Sequence, residues 1–254
     1  MGTIFAVLFV ANLVLVTVLA GGQHFPSPFA PDAADWFSRH RTAVLAGAFL
    51  QFGASIPLGI YTATIVSRMQ FFGLRMAGVH IALFGGLSAS FFLAVSALIQ
   101  WVLAQDGIAV SGVAAHALHH LAFATGGFGH VVPLGLLLAG ISVTAGLTRR
   151  LPRWMMVFGI VVAVIAELSS LGLVFPAAMV LLPLARFPAL VWIVCAGAML
   201  PDSIERGARR LSTARCRERS PWSWVRARAS AQERRGHSAG REQPSSSHLA
   251  TNRP

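Results

Sequence analysis

The stretch AHALHHLAFATGGFGHVVPLGLLLAGISVTAGL, residues 115–147, decides the fold. Histidines apart, it is apolar throughout, and it exceeds the roughly 20 residues an α-helix needs to cross about 30 Å of hydrocarbon. It also carries four of the nine histidines: His116, His119, His120 and His130. A membrane-crossing helix with an unusual polar load is therefore the first expectation.

The remainder of the chain repeats the pattern. Of 254 residues, 55% are hydrophobic and 11% charged, and the mean hydropathy is +0.66. Soluble domains carry about a quarter charged residues, so only a membrane protein fits. Thr3–Ala20 is the first span, interrupted by Asn12 alone. It lacks the basic n-region of a cleaved signal peptide and is read as retained. Gln23–Arg41 is a polar connection in which Asp32 or Asp35 caps a short helix and Trp36 and Phe37 sit at the headgroup level. Thr42–Ser67 is span two, with Gln51 near its middle and a kink expected at Pro57. Met76–Ala104 is span three. Its small residues four apart, Gly85 with Ala89 and Gly86 with Ser90, invite close helix approach. The histidine-rich run is span four, and Trp154 to about Phe175 is span five. Phe187–Leu200 makes a short sixth span, which must borrow length from Pro183–Arg186 or from beyond Pro201. The fold class is an all-α transmembrane bundle of about six spans. An 81-residue shift lays Gly59–Arg68 over Gly140–Arg149, which suggests that spans two and three echo spans four and five.

The formal charge of +11 invites a nucleic-acid reading, but twelve of the 20 basic residues follow Leu200. The expected division is thus a spanning domain, 1–200, and an Arg-rich tail, 201–254. The tail has too little apolar surface to offset the cost of ordering and is expected to be disordered. Its reading is a cytoplasmic segment drawn to anionic lipid headgroups, at roughly 1 kcal/mol per basic residue, or an extension without a selected role. The bilayer is the expected partner and nucleic acid is not. All basic residues are arginine, which suggests a GC-rich bacterial genome and hence an inner-membrane location. Arg68, Arg75, Arg149, Arg150 and Arg153 against Arg39, Arg41 and Arg186 put both termini in the cytoplasm by the positive-inside rule. Cys195 and Cys216 have neither disulfide nor metal-site spacing.

The polar residues inside the spans are the candidates for function. An ionised carboxylate near mid-bilayer costs about 3 kcal/mol or more, so Glu167 is expected to be protonated or paired. Counted at 1.5 Å per residue from the turn between spans four and five, Glu167 lies roughly 21 Å and His130 roughly 27 Å along adjacent antiparallel helices. The two are therefore a candidate buried pair. The alternative has each satisfied by its own neighbours. Asn12 and Gln51 are further buried polar candidates. His116, His119 and His120 share a broad helical face by spacing, and two histidines four apart can ligate zinc or copper. No glutamate stands between them, so the metalloprotease pattern is missing. No phosphate-binding glycine loop and no nucleophile–base–acid order appears, and no cofactor is expected beyond this metal alternative.

The uncharged first span, TRRLPRW (Thr148–Trp154) and PALVWIVCAGAML (Pro188–Leu200) resemble features of the small six-span bacterial membrane proteins grouped as domains of unknown function. The resemblance covers residues 1–200 and implies a fold and no site. Three functions follow: a non-enzymatic structural or regulatory membrane protein as the leading reading, a small-solute or proton-coupled transporter using His130 and Glu167, and a His-ligated metal enzyme or redox protein.

Overall fold

In lipid every backbone N–H and C=O must be satisfied within its own segment, so long apolar runs become helices. The computed structural model describes residues 1–23, 26, 33–71, 73–74, 76–105, 112–148 and 151–199, and in these the chain is helical with no strand. The helices are α1 (Gly2–Leu19), α2 (Ala33–Arg39), α3 (Arg41–Phe71), α4 (Ala77–Leu103), α5 (Gly112–Ala124), α6 (His130–Leu147), α7 (Arg153–Leu168) and α8 (Leu181–Met199). One turn of π-helix, Thr125–Gly129, joins α5 to α6, and 3-10 turns at Ser169–Leu173 and Pro176–Val180 lie between α7 and α8. Among the described residues six helical stretches are long and apolar enough to cross a membrane. The protein is a multi-pass membrane bundle. The expectations for Asp32, Arg75, Arg149, Arg150, Cys216 and the tail, 201–254, lie outside the described residues.

The bundle wears its apolar side chains outward. Phe49, Phe84, Phe91, Val157 and Val191 are all exposed, where a soluble protein would hide them. Lipid is the solvent these faces fit. The interior holds small residues, aliphatic and aromatic side chains, and a set of buried polar groups.

α4 is the central helix, and its glycine pair explains why. A Cβ on Gly85 would stand 2.5 Å from the Pro133 carbonyl oxygen and 2.7 Å from the Leu137 nitrogen, so this face lies directly on α6. Gly86, one residue on, faces α3 through Thr62. Four residues later the same two rows carry hydrogen bonds. The Ala89 carbonyl accepts from His130 Nδ1 on α6 (2.9 Å), and Ser90 Oγ donates to the Ser55 carbonyl on α3 (2.7 Å). The small-residue rows thus serve two neighbouring helices.

α7 and α8 close the other side. Trp192 is wholly buried, donates from Nε1 to the Met155 carbonyl (3.0 Å), and fits because Gly159 leaves it room. Trp36 and Phe37 stand on α2 at one end of the bundle. Both are buried, packed with Val16, Val44, Leu103 and Ala115 beneath α2, because the one-residue link at His40 folds α2 back over the ends of α1, α4 and α5. Arg41 Nε fastens this end by donating to the Ala104 carbonyl (2.7 Å). Pro57 lies within an unbroken α3. The sixth span begins at Leu181, so the length Phe187–Leu200 lacked comes from its N-terminal side. Pro183 falls at its third residue, where a missing N–H costs nothing because first-turn donors have no intrahelical acceptor.

Candidate functional site

A cavity of about 580 Å³ opens in the half of the bundle that carries α2, between α1, α3, α4, the π turn and α8. Its walls are largely apolar: Phe9, Leu93, Phe123, Leu182 and Phe187. Set among them are Asn12, Gln51, Ser96, Gln100, His119 and Arg186. Asn12, Gln51, Ser96 and His119 are each buried to nine-tenths or more.

Each polar group is placed by local packing. Gly47 on α3 lets α1 approach; a Cβ there would meet Val16 at 2.6 Å and the Asn12 side-chain oxygen at 3.2 Å. That oxygen, Asn12 Oδ1, is buried without a hydrogen-bond partner among the described residues, at a cost of about 1–3 kcal/mol unless something else supplies a donor. Gln100 Nε2 donates to Gln51 Oε1 (3.2 Å), and Gln51 Nε2 donates more weakly to the Leu93 carbonyl (3.4 Å). Ser96 Oγ donates to the Ala122 carbonyl (2.8 Å) and ties α4 to α5.

The π turn at Thr125–Gly129 supplies the most unusual wall. Inserting one extra residue into a helix frees a carbonyl from its normal partner, and such turns recur at functional sites. Here the Gly126 carbonyl accepts a hydrogen bond from Arg186 Nη2 on α8. The guanidinium also lies over the Phe9 ring, 5.5 Å from its centroid, a cation–π contact. Arg186 Nε is buried and has no hydrogen-bond partner among the described residues. The described residues contain two carboxylates, Asp35 and Glu167. Asp35 faces Arg39 (3.7 Å) at the exposed surface, and among the described residues no carboxylate forms a salt bridge with Arg186.

His130 lies beneath the cavity floor. It is wholly buried, its ring roughly parallel to Phe9 (16°, centroids 6.4 Å apart) and edge-on to Phe5. The Ala89 carbonyl can only accept, so the imidazole proton sits on Nδ1. Nε2 is then an acceptor, and it has no partner among the described residues.

The expected His130–Glu167 pair is not formed. Gly135 on α6 meets Ala163 and Ala166 on α7, and this contact fixes the phase of both helices. Five residues at about 100° each turn His130 some 140° away from that seam, toward α4 and α1. Glu167 is exposed on the flank of α7. The expected common face of His116, His119 and His120 also divides. His119 points inward, edge-on to Phe37 at 4.9 Å, whereas His120 is exposed with Nδ1 bonded to the His116 carbonyl (2.9 Å). Among the described residues no three His, Cys, Asp or Glu side chains are grouped to hold a metal ion.

Asn12 and Gln51, singled out from sequence, do line the cavity. Sequence reasoning missed Ser96, Gln100 and Arg186. An arginine within the apolar run from Pro176 to Met199 was the available signal; assigning it to an outer connection concealed it. The double glycine Gly126–Gly127 was the corresponding signal for the π turn.

A second, smaller cavity of about 260 Å³ lies at the opposite end of the same α1–α3–α8 seam, against Thr3, Tyr61, Thr64, Arg68 and Gly197. Between the two stand Phe5, Leu58 and Tyr61, all buried, with Tyr61 Oη donating to the Ile193 carbonyl (3.1 Å). Comparison of the chain with protein families, with curated proteins and with solved structures finds no match.

Proposed function

We propose that this multi-pass membrane protein is a non-enzymatic carrier for a small solute, which enters the 580 Å³ cavity and travels along the α1–α3–α8 seam. One observation carries the reading. Two cavities lie at opposite ends of a single helix seam, separated by an aromatic and aliphatic septum, which suits a carrier whose path is closed between its two openings. Transporter sites also typically sit where helices are broken, and the π turn and the proline-rich start of α8 meet at the larger cavity. A purely structural or regulatory bundle needs no cavity lined by buried amides, and those amides cost stability when dry.

The membrane we assign is a bacterial inner membrane, with both termini cytoplasmic. Arg186 belongs to α8 and its cavity, so it leaves the loop count. Only Arg39 and Arg41 then oppose Arg68, Arg75, Arg149, Arg150 and Arg153, which strengthens the positive-inside argument. The Arg-rich tail then lies beside anionic headgroups.

The test is water access. In a background with Cys195→Ala and Cys216→Ala, the single variants Gln51→Cys, Thr64→Cys and Phe84→Cys are treated with a membrane-impermeant thiosulfonate from each side of oriented vesicles. Gln51→Cys is expected to label from the external side, Thr64→Cys from the cytoplasmic side, and lipid-facing Phe84→Cys from neither. A Gln51→Cys side chain inert from both sides would overturn the carrier reading.

A further inference from the structure

We propose that the solute is a lipophilic monoanion of the carboxylate class, its charge held by Arg186 and its apolar body by the cavity wall; this deepens the carrier reading and rests on it. Arg186 is part-buried at the cavity wall with its Nε buried, so its guanidinium has lost part of its hydration and an anion in the cavity would replace it. Among the described residues the two carboxylates lie elsewhere. Glu167 is exposed on the flank of α7, and Asp35 and Arg39 face each other at the surface. Among the described residues Arg186 meets a carbonyl and an aromatic ring, and neither neutralises it.

The guanidinium carries five N–H donors, and Nε is buried with none of its capacity used. Such a planar fork matches a carboxylate in bidentate fashion. Asn12 also lines the cavity, and its amide nitrogen is a donor of the kind a carboxylate accepts from. The cavity walls argue against a hydrophilic anion: Phe9, Phe123 and Phe187, with Leu93 and Leu182, give one polar end and an apolar body. A single arginine with no second cation beside it favours one negative charge over two. Among the described residues the cavity lining holds Arg186 as its sole permanently charged side chain.

The experiment uses an isosteric pair, 4-phenylbutyrate and 4-phenylbutyramide, which share shape and differ in charge. Binding of each to the full chain in lipid nanodiscs is measured by equilibrium dialysis at pH 7.5. The wild type is expected to bind the carboxylate at least about tenfold more tightly than the amide, in line with the roughly 1.5–3 kcal/mol of a hydrogen bond to a charged group. Arg186→Gln should bring the two probes within about twofold of each other, and Arg186→Lys should keep part of the preference. Because the wild-type comparison needs no variant, a misfolded Arg186→Gln does not remove the test. Equal binding of both probes to the wild type overturns the anion assignment and leaves the carrier standing. Binding of neither overturns the anion assignment too, while the carrier reading stands or falls by the labelling of Gln51→Cys. A tenfold preference that survives Arg186→Gln places the charge recognition elsewhere and refutes the role given to Arg186.

Discussion

Gly85→Ala tests the packing on which the site depends. The added methyl carbon would stand 2.5 Å from the Pro133 oxygen and 2.7 Å from both the Leu136 Cβ and the Leu137 nitrogen. Two of these three atoms belong to the α6 backbone, which cannot rotate aside. Ordinary contact begins near 3.4 Å, so α4 and α6 must part by roughly 0.9 Å along this row. Overpacking of this kind costs about 1–3 kcal/mol. The opposing gain, the better helix propensity of alanine, is at most about 1 kcal/mol, and it shrinks when the denatured state stays helical in detergent. A net loss of about 1–2 kcal/mol is therefore expected. Gly53→Ala is the control: it lies on α3 with nothing within 4 Å of its added carbon and should change stability by less than about 0.5 kcal/mol. The assay is unfolding in mixed micelles by increasing SDS, followed by tryptophan fluorescence. The parted helices should also weaken the bond from His130 to the Ala89 carbonyl, four residues along the same row. If Gly85→Ala unfolds at the same SDS fraction as Gly53→Ala, the close α4–α6 contact is refuted.

His130→Leu and Glu167→Leu should be additive within about 0.5 kcal/mol in the same assay, since separate partners leave nothing to couple; a coupling above 1 kcal/mol would restore the pair. Reporter fusions at Gly73, Pro152 and Ser212 are expected to read cytoplasmic and fusions at Ala33 and Gly107 external, and an external signal at Pro152 would invert the orientation. Ending the chain after Glu205 should leave insertion and thermal stability within error of the full chain, measured by alkaline extraction and by the melting transition in detergent; failure to insert would show that the spans depend on the tail's charge.

The amino-acid sequence by itself determined that the chain is a helical membrane bundle with six apolar runs, and that Asn12 and Gln51 are polar groups inside them. These conclusions follow from composition over about 20 residues, and the bilayer enforces that requirement whatever the neighbouring helices do. Direction around each helix is a different matter. His130 and Glu167 stand on adjacent helices, yet the contact of Gly135 with Ala163 and Ala166 rotates one toward α4 and leaves the other on the flank. Spacing alone could not separate His119 from His120, because the buried side of α5 is set by Phe37 folding over it from α2. Arg186 read as a loop charge until the start of α8 was fixed at Leu181. Its role depends on a π-turn carbonyl 60 residues earlier in the chain. Periodicity tells how a side chain repeats along one helix. Which neighbour it meets is decided by close contacts between helices distant in sequence, and only the tertiary structure holds those.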